Sequence, residues 1–174
     1  MRFLIILMAF VFTGCSTFVG PQYQGNSKSV VIKKPVVINR SDYKPLPSNS
    51  LLLTWPVKAV SITSKYKTRK RPNHKGLDLD GILNDPIYAA EKGTVVFAGW
   101  QRGFGRVVKI KHGETAATTL YAHLNKILVK KGQKVKKKQR IGKMGRTGRA
   151  TGTHLHFEVI HDGNHINPEF YLPL

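Results

Sequence analysis

The strongest chemical signal lies near the C-terminus, in His154-Leu155-His156-Phe157-Glu158-Val159. Strict alternation puts both histidines on one face of a strand and Leu155 and Phe157 on the other. Two imidazoles so placed stand roughly 7 Å apart. Zinc sits only about 2.0–2.1 Å from each ligating nitrogen, so the pair divides its labour: one ring binds metal and the other serves the reaction. Upstream, His74-Lys75-Gly76-Leu77-Asp78 offers an imidazole and a carboxylate, with a glycine between them that lets the backbone bend. With one histidine of the later pair they make a two-histidine, one-carboxylate set. Three protein ligands and an open fourth position describe a catalytic zinc site; a structural one is closed by four.

Other polar residues are weaker candidates. His123, in Leu120-Tyr121-Ala122-His123-Leu124, follows a predicted strand, and by itself a histidine there is more often surface decoration than a functional group. Asp80 follows Asp78 at strand spacing but precedes Gly81, which makes it more simply a turn residue. Glu158 shares the face of His156 and either supports that ring from behind or joins a cross-strand charge pair. His112 before Gly113, and His161 and His165 around Asp162-Gly163-Asn164, fall at expected turns, where solvent exposure accounts for them.

The elements that must position these groups are strands. From Leu51 to Leu174 the chain is dense in short β-branched and aromatic runs bounded by glycine. The runs predict strands at 57–63, 86–90, 94–100, 106–111, 118–122, 139–144 and 154–160, an all-β antiparallel domain. The one stretch of helical flavour, 123–129, is too short before Gly132 to support much helix. Segments 91–96 and 131–136 resemble each other weakly, each fitting a turn that enters a strand.

The chain of 174 residues, 41% hydrophobic, has room for one such domain plus a leader and a tether. Arg2 precedes an apolar run, 3–12, that is far shorter than the roughly 20 residues needed to span a bilayer, so 1–14 reads as a signal peptide. Phe12-Thr13-Gly14-Cys15 resembles the lipobox of bacterial lipoproteins, although Phe12 stands where leucine is usual. The cysteine would then carry the diacylglycerol; the plainer reading is a secreted protein or an N-terminal anchor with Cys15 as an ordinary apolar residue. Cys15 is the only cysteine, which excludes an intramolecular disulfide. Residues 15–50, rich in Gly, Pro and Ser, read as an extended tether able to reach on the order of 100 Å. In a host with two membranes, Ser16 after the cysteine favours the outer membrane, facing the periplasm. The net charge of +20 favours anionic surfaces. The run Lys130–Lys138 reads as a solvated face that could also attract wall carboxylates. Neither aromatics interleaved with that run nor a recognition helix supports nucleic-acid binding.

Taken together, the segments around Trp55, His74 to Asp78, Ala89 to Val95, Tyr121 to Leu124, Gly145 to Gly148 and Thr153 to Glu158 resemble, over about 120 residues ending near Pro168, the lysostaphin-type (LytM domain) peptidoglycan endopeptidases. The resemblance implies a fold of the duplicated hybrid motif type over 51–174 and one zinc ion held by His74, Asp78 and His156. It also implies that His123 and His154 are the catalytic histidines. It implies hydrolysis of peptide bonds in peptidoglycan, D-alanyl to meso-diaminopimelate cross-links in a two-membrane host. One departure is Lys67, where the family often has glycine beside the cleft. Two rivals remain: a non-catalytic family member that activates wall amidases, whose kind typically loses ligands, and a biotinyl- or lipoyl-type carrier domain, which explains none of the histidines.

Overall fold

Short β-branched runs broken by glycine turns become strands throughout the described residues, 51–113 and 115–173, in the computed structural model. The leader, Cys15 and the tether lie outside the described residues. The strands are β1 (Ile62–Ser64), β2 (Leu77–Asp80), β3 (Pro86–Tyr88), β4 (Gly93–Gln101), β5 (Gly105–Lys111), β6 (Ala117–Leu124), β7 (Lys126–Ile127), β8 (Lys134–Val135), β9 (Arg140–Lys143), β10 (His154–His161) and β11 (Asn164–Ile166), followed by a 3-10 turn at Pro168–Phe170. Every pairing is antiparallel. The large sheet runs β1-β2-β10-β6-β5-β4-β8, with β2 and β11 sharing one edge of β10, and a small sheet runs β3-β9-β7.

Period-2 alternation decides which face each residue meets. Leu77 and Leu79 of β2 and Leu155, Phe157 and Val159 of β10 point into the main core with no exposed surface. Each such side chain contributes about 1.5–3 kcal/mol through burial. Tyr121 of β6 packs against Phe157 at 5.3 Å between ring centroids. Its hydroxyl accepts from the Ala90 N–H at 2.8 Å, and burial pushes the phenol up to about 12. A smaller cluster of Val107, Leu120 and Ala122, joined by Phe97 and Phe104, covers the other face of the large sheet. Asp78, Asp80, His154, His156 and Glu158 alternate with the core residues of β2 and β10.

Three local features differ from the sequence reading. Of the stretch 57–63 only Ile62 and Thr63 are strand, in β1; Lys58 to Ser61 are exposed, and of them the Ser61 carbonyl alone meets β2, accepting from the Asp80 N–H at 2.8 Å. The strand Leu77–Asp80 was not foreseen: at four residues, two of them aspartates, it carries little intrinsic β preference and forms because β1 and β10 flank it. Asp80 is accordingly the exposed last residue of a strand, where a turn was expected. As expected, no helix forms over 123–129, where Asn125 separates β6 from β7. His112 is buried, not exposed: its ring nitrogens lie 2.9 Å from the Lys92 carbonyl and 2.8 Å from Thr119 Oγ1. The two mutually similar segments pair with each other, Gly93 opposite Val135 and Thr94 opposite Lys134.

Candidate metal centre

The register of β10 against β2 builds the centre. Asp78 lies directly opposite His156, and His154 opposite Asp80, so Asp78 and His156 are cross-strand neighbours on one face. His74 arrives from the loop before β2. Gly76, between it and Asp78, lies so close to β10 that a Cβ there would stand 2.3 Å from the Phe157 carbonyl oxygen. Three donor atoms converge: His74 Nε2 is 3.0 Å from Asp78 Oδ1, His156 Nδ1 is 2.8 Å from the same oxygen, and the two nitrogens are 3.2 Å apart. All three residues are buried.

The outer nitrogens set the tautomers. A carbonyl only accepts, so His74 Nδ1, 2.8 Å from the Lys65 carbonyl, carries the proton and Nε2 presents a lone pair. His156 Nε2 donates to Glu158 Oε1 at 3.0 Å, turning the Nδ1 lone pair inward. Arg71 Nη1 donates to Asp78 Oδ2 at 2.7 Å and to Ser64 Oγ at 2.8 Å, which leaves Oδ1 for the imidazoles. Two lone pairs and a carboxylate oxygen crowded within 3.2 Å repel one another unless a cation lies among them. Ligand atoms of a tetrahedral ion at 2.0–2.1 Å are about 3.3 Å apart, so the donor set fits a divalent metal closely.

Without a cation, protons take that part. Burial would push the Asp78 carboxyl up, but the hydrogen bond from His156, the charges of His156 and His74 and the Arg71 guanidinium hold it well below the usual carboxylate range. Burial would likewise push His156 down; its bonds to Asp78 and Glu158 raise it instead. Metal binding demands the neutral ring and so displaces that proton.

His123 and His154 face the same groove. Their ring centroids are 4.8 Å apart, and His123 lies 5.9 Å from His156. His154 Nδ1 donates to the Gly152 carbonyl at 2.9 Å, and its Nε2 is 3.7 Å from Asp78 Oδ1. Ala122, opposite His156, occupies the groove face of β6, so regular alternation would send His123 to the core. A φ of +61° at a bulge in β6, where the pairing with β5 shifts between Arg106 and Val108, turns the ring into the groove. Thr147 holds it there: its carbonyl accepts from His123 Nδ1 at 2.7 Å, while its hydroxyl donates to the Leu124 carbonyl at 2.8 Å and accepts from the Arg106 N–H at 3.0 Å. Burial pushes His123 down, which keeps its Nε2 free to accept a proton.

The groove has a volume of about 280 Å³ around Arg71, Phe104, Arg149 and the four histidines, and continues past Phe104 into a cleft of about 420 Å³ lined by Asn73, Lys75 and Glu158. A roomier cavity, about 510 Å³, lies beside Leu51 and His112 at the far end of β4. Among the described residues only His74, Asp78 and His156 group as three metal donors. All five residues singled out in the sequence therefore meet in one groove. Thr147, Arg71 and the Lys65 carbonyl escaped sequence reasoning. Thr147 alone left a trace, inside Gly145-Arg146-Thr147-Gly148, and that motif carries no chemistry until the fold brings it to His123.

An antiparallel β domain whose groove holds two histidines and a carboxylate at metal-ligand spacing defines a class of metallopeptidase-like proteins. Residues 72–168 match the model of Peptidase family M23, and the chain belongs to that family. It is 46% identical over 100 residues to the peptidoglycan DD-endopeptidase ShyA of Vibrio cholerae, covering 58% of this chain and 23% of that one. It is 42% identical over 120 residues to a lipoprotein NlpD/LppB homolog of Pseudomonas aeruginosa, covering 68% and 39%. With the lipoprotein YgeR of Escherichia coli the identity is 35% over 151 residues, 86% and 58%. The chain thus spans 23 to 58% of the length of these curated relatives. The catalytic domain of lysostaphin from Staphylococcus simulans superposes with a TM-score of 0.60 at 28% identity, covering 64% of this chain and 91% of that one. A zinc-containing peptidase from Vibrio cholerae does so with a TM-score of 0.59 at 36% identity, covering 65% and 37%.

Proposed function

We propose that this protein is a zinc-dependent endopeptidase that hydrolyses peptide bonds in peptidoglycan, cutting D-alanyl to meso-diaminopimelate cross-links in a two-membrane host. The observation that carries this reading is the convergence of His74 Nε2, Asp78 Oδ1 and His156 Nδ1 within 3.2 Å, beside two further imidazoles in one open groove. Similarity to proteins named as DD-endopeptidases supports the bond class. His74, Asp78 and His156 hold the metal. When bound, zinc supplies Lewis acidity, polarising a carbonyl oxygen and acidifying water. His123 and His154 each anchor Nδ1 on a carbonyl and aim Nε2 at the groove, where the neutral nitrogen accepts a proton from the attacking water. Once protonated, the same nitrogens donate to the developing oxyanion and to the departing amine. Phe104 and the apolar cluster beneath it exclude water from one wall.

A lipid on Cys15, with residues 15–50 as a tether and 51–174 as the peptidase domain, would hold this chemistry at a membrane, the outer one in a two-membrane host. The names of relatives as lipoproteins favour an envelope location. A second reading, activation of wall amidases, is favoured by 42% identity over 101 residues to the murein hydrolase activator NlpD of Salmonella dublin. The complete five-residue set argues for hydrolysis. Incubating the purified protein with isolated sacculi should release defined muropeptides, and a chelator should abolish the release. Absence of release, with amidase stimulation that survives His156→Ala, would establish the second reading instead.

A further inference from the structure

The two basic residue types are unequally distributed over this domain. Six lysines and no arginine occupy 130–138, at the β8 end of the molecule. Of the arginines between 51 and 174, all but Arg140 lie in or beside three segments that ring the groove: Arg69 and Arg71 between β1 and β2, Arg102 and Arg106 at the β4–β5 hairpin, Arg146 and Arg149 between β9 and β10. An ammonium is a hydrated point charge, adequate for solubility; a guanidinium is a planar fork that matches a carboxylate in two parallel hydrogen bonds. Lysines share the β1–β2 segment with Arg69 and Arg71, at 65, 67, 70 and 75, but nearly every arginine of the domain lies near the groove, where geometry of anion binding matters.

Within the groove the two arginines differ in state. Arg71 is committed to Asp78 and Ser64. Arg149 lines the same cavity beside His154 and Thr151, is exposed, and makes no ion pair among the described residues. Its backbone is nevertheless fixed. The Arg149 N–H donates to the Gly103 carbonyl at 2.8 Å. Gly148, at φ +75°, packs so close that a Cβ there would stand 2.4 Å from the Gly105 nitrogen. The β9–β10 segment is stapled to the β4–β5 hairpin, and Arg149, with no ion pair among the described residues, lines the groove beside the staple. A charge at an exposed position is worth little when it must first be ordered; here the backbone ordering is already in place.

We propose that Arg149 binds a free carboxylate next to the scissile amide, making the protein selective for wall peptides that are unamidated at that position. This rests on the peptidase reading above and names its substrate class. In a D-alanyl to diaminopimelate cross-link, the carbon bearing the amide nitrogen carries such a carboxylate, so that its amidation removes a charge centred two bonds from the scissile nitrogen.

The test uses the zinc-loaded full chain in detergent and two cross-linked muropeptide dimers differing only in whether that carboxylate is free or amidated. The wild type should prefer the free acid roughly ten- to hundredfold in kcat/KM, mostly through KM, the scale of a charge-assisted hydrogen-bond pair. Arg149→Gln should erase the preference and Arg149→Lys keep part of it. Equal rates on both dimers, or an Arg149→Gln variant that keeps the wild-type preference, would overturn the proposal. Binding of both dimers to His154→Ala protein, read by calorimetry, separates the two readings. If the wild type cleaves neither dimer, the peptidase reading fails, and the same tenfold or greater difference in Kd, lost in a variant with Arg149→Gln added, still supports carboxylate recognition. Equal Kd values would end it.

Discussion

Glu158 is the residue on which the metal centre is expected to lean hardest without touching the ion. It is 1% exposed, with Oε1 at 3.0 Å from His156 Nε2 and Oε2 at 3.1 Å from His165 Nδ1. Its work is to hold the proton of His156 on Nε2, so that Nδ1 faces His74 and Asp78 as a lone pair. Glu158→Gln keeps the shape and can still accept from His156, with its amide turned to His165, but the bond is no longer charge-assisted and loses about half its strength. A loss of about 1 to 1.5 kcal/mol corresponds to roughly tenfold weaker zinc binding. Glu158→Ala removes the acceptor altogether, frees the tautomer and leaves a buried N–H unpaired; outer-shell losses of this kind cost about 10–100-fold in metal affinity. Competition of the protein against a chromophoric chelator measures both constants, and a melt of the metal-free protein separates metal affinity from folding. The graded order, wild type above Gln above Ala, is the expected result. If both variants bound zinc as tightly as the wild type, the reasoning that Glu158 sets the donor state of His156 would be refuted.

Further outcomes follow from the same geometry. A Cβ at Gly105 would stand 2.3 Å from Thr147 Oγ1 in a backbone at φ +71°; Gly105→Ala should cost about 2–4 kcal/mol, from the left-handed φ and the lost Thr147 bonds, and lower turnover more than zinc affinity because Thr147 holds His123. Gly103→Ala, at φ +85° with nothing within 4 Å, should cost only the backbone share, about 1–2 kcal/mol, and urea unfolding of the pair makes the comparison. Burial holds the folded pKa of His112 below its ordinary 6.5, so its contribution is present above that pH and is lost as pH falls below it. Melts from about pH 7 to about pH 5 should therefore show declining stability, with a shallower slope in His112→Gln. Zinc at a hundredfold excess over its Kd should stabilise the protein by about 2.7 kcal/mol; calorimetric scans should show that upward shift in Tm, and its absence in His156→Ala.

The parts of this molecule that could be read from the sequence are those where one strand carries its own pattern. His154-Leu155-His156-Phe157 announces both a period of two and a polar face, and β10 indeed buries Leu155 and Phe157 beneath the histidines. The carboxylate partner was nameable, but not the strand that holds it, since Leu77–Asp80 pairs for reasons that lie in its neighbours. His123 resisted in a different way. Its place in the groove depends on leaving the alternation of β6, and a left-handed residue in a run of strand formers has no local signature when it is not glycine. What turns it is the Thr147 carbonyl, 24 positions later in the chain, brought near by glycines at 105 and 148 that have room only for hydrogen at the contact. The division of labour within His154 and His156 comes from the same source. Alternation puts the two rings on one face; the register against β2 separates them, setting His156 opposite Asp78 with Nδ1 at 2.8 Å from Oδ1, and His154 opposite Asp80 with Nε2 at 3.7 Å from that oxygen. The choice of chemistry is thus written in residue types along single strands, and the assignment of roles in contacts between strands, which is why the metal ligands could be proposed from spacing and resemblance while their supports emerged only from the fold.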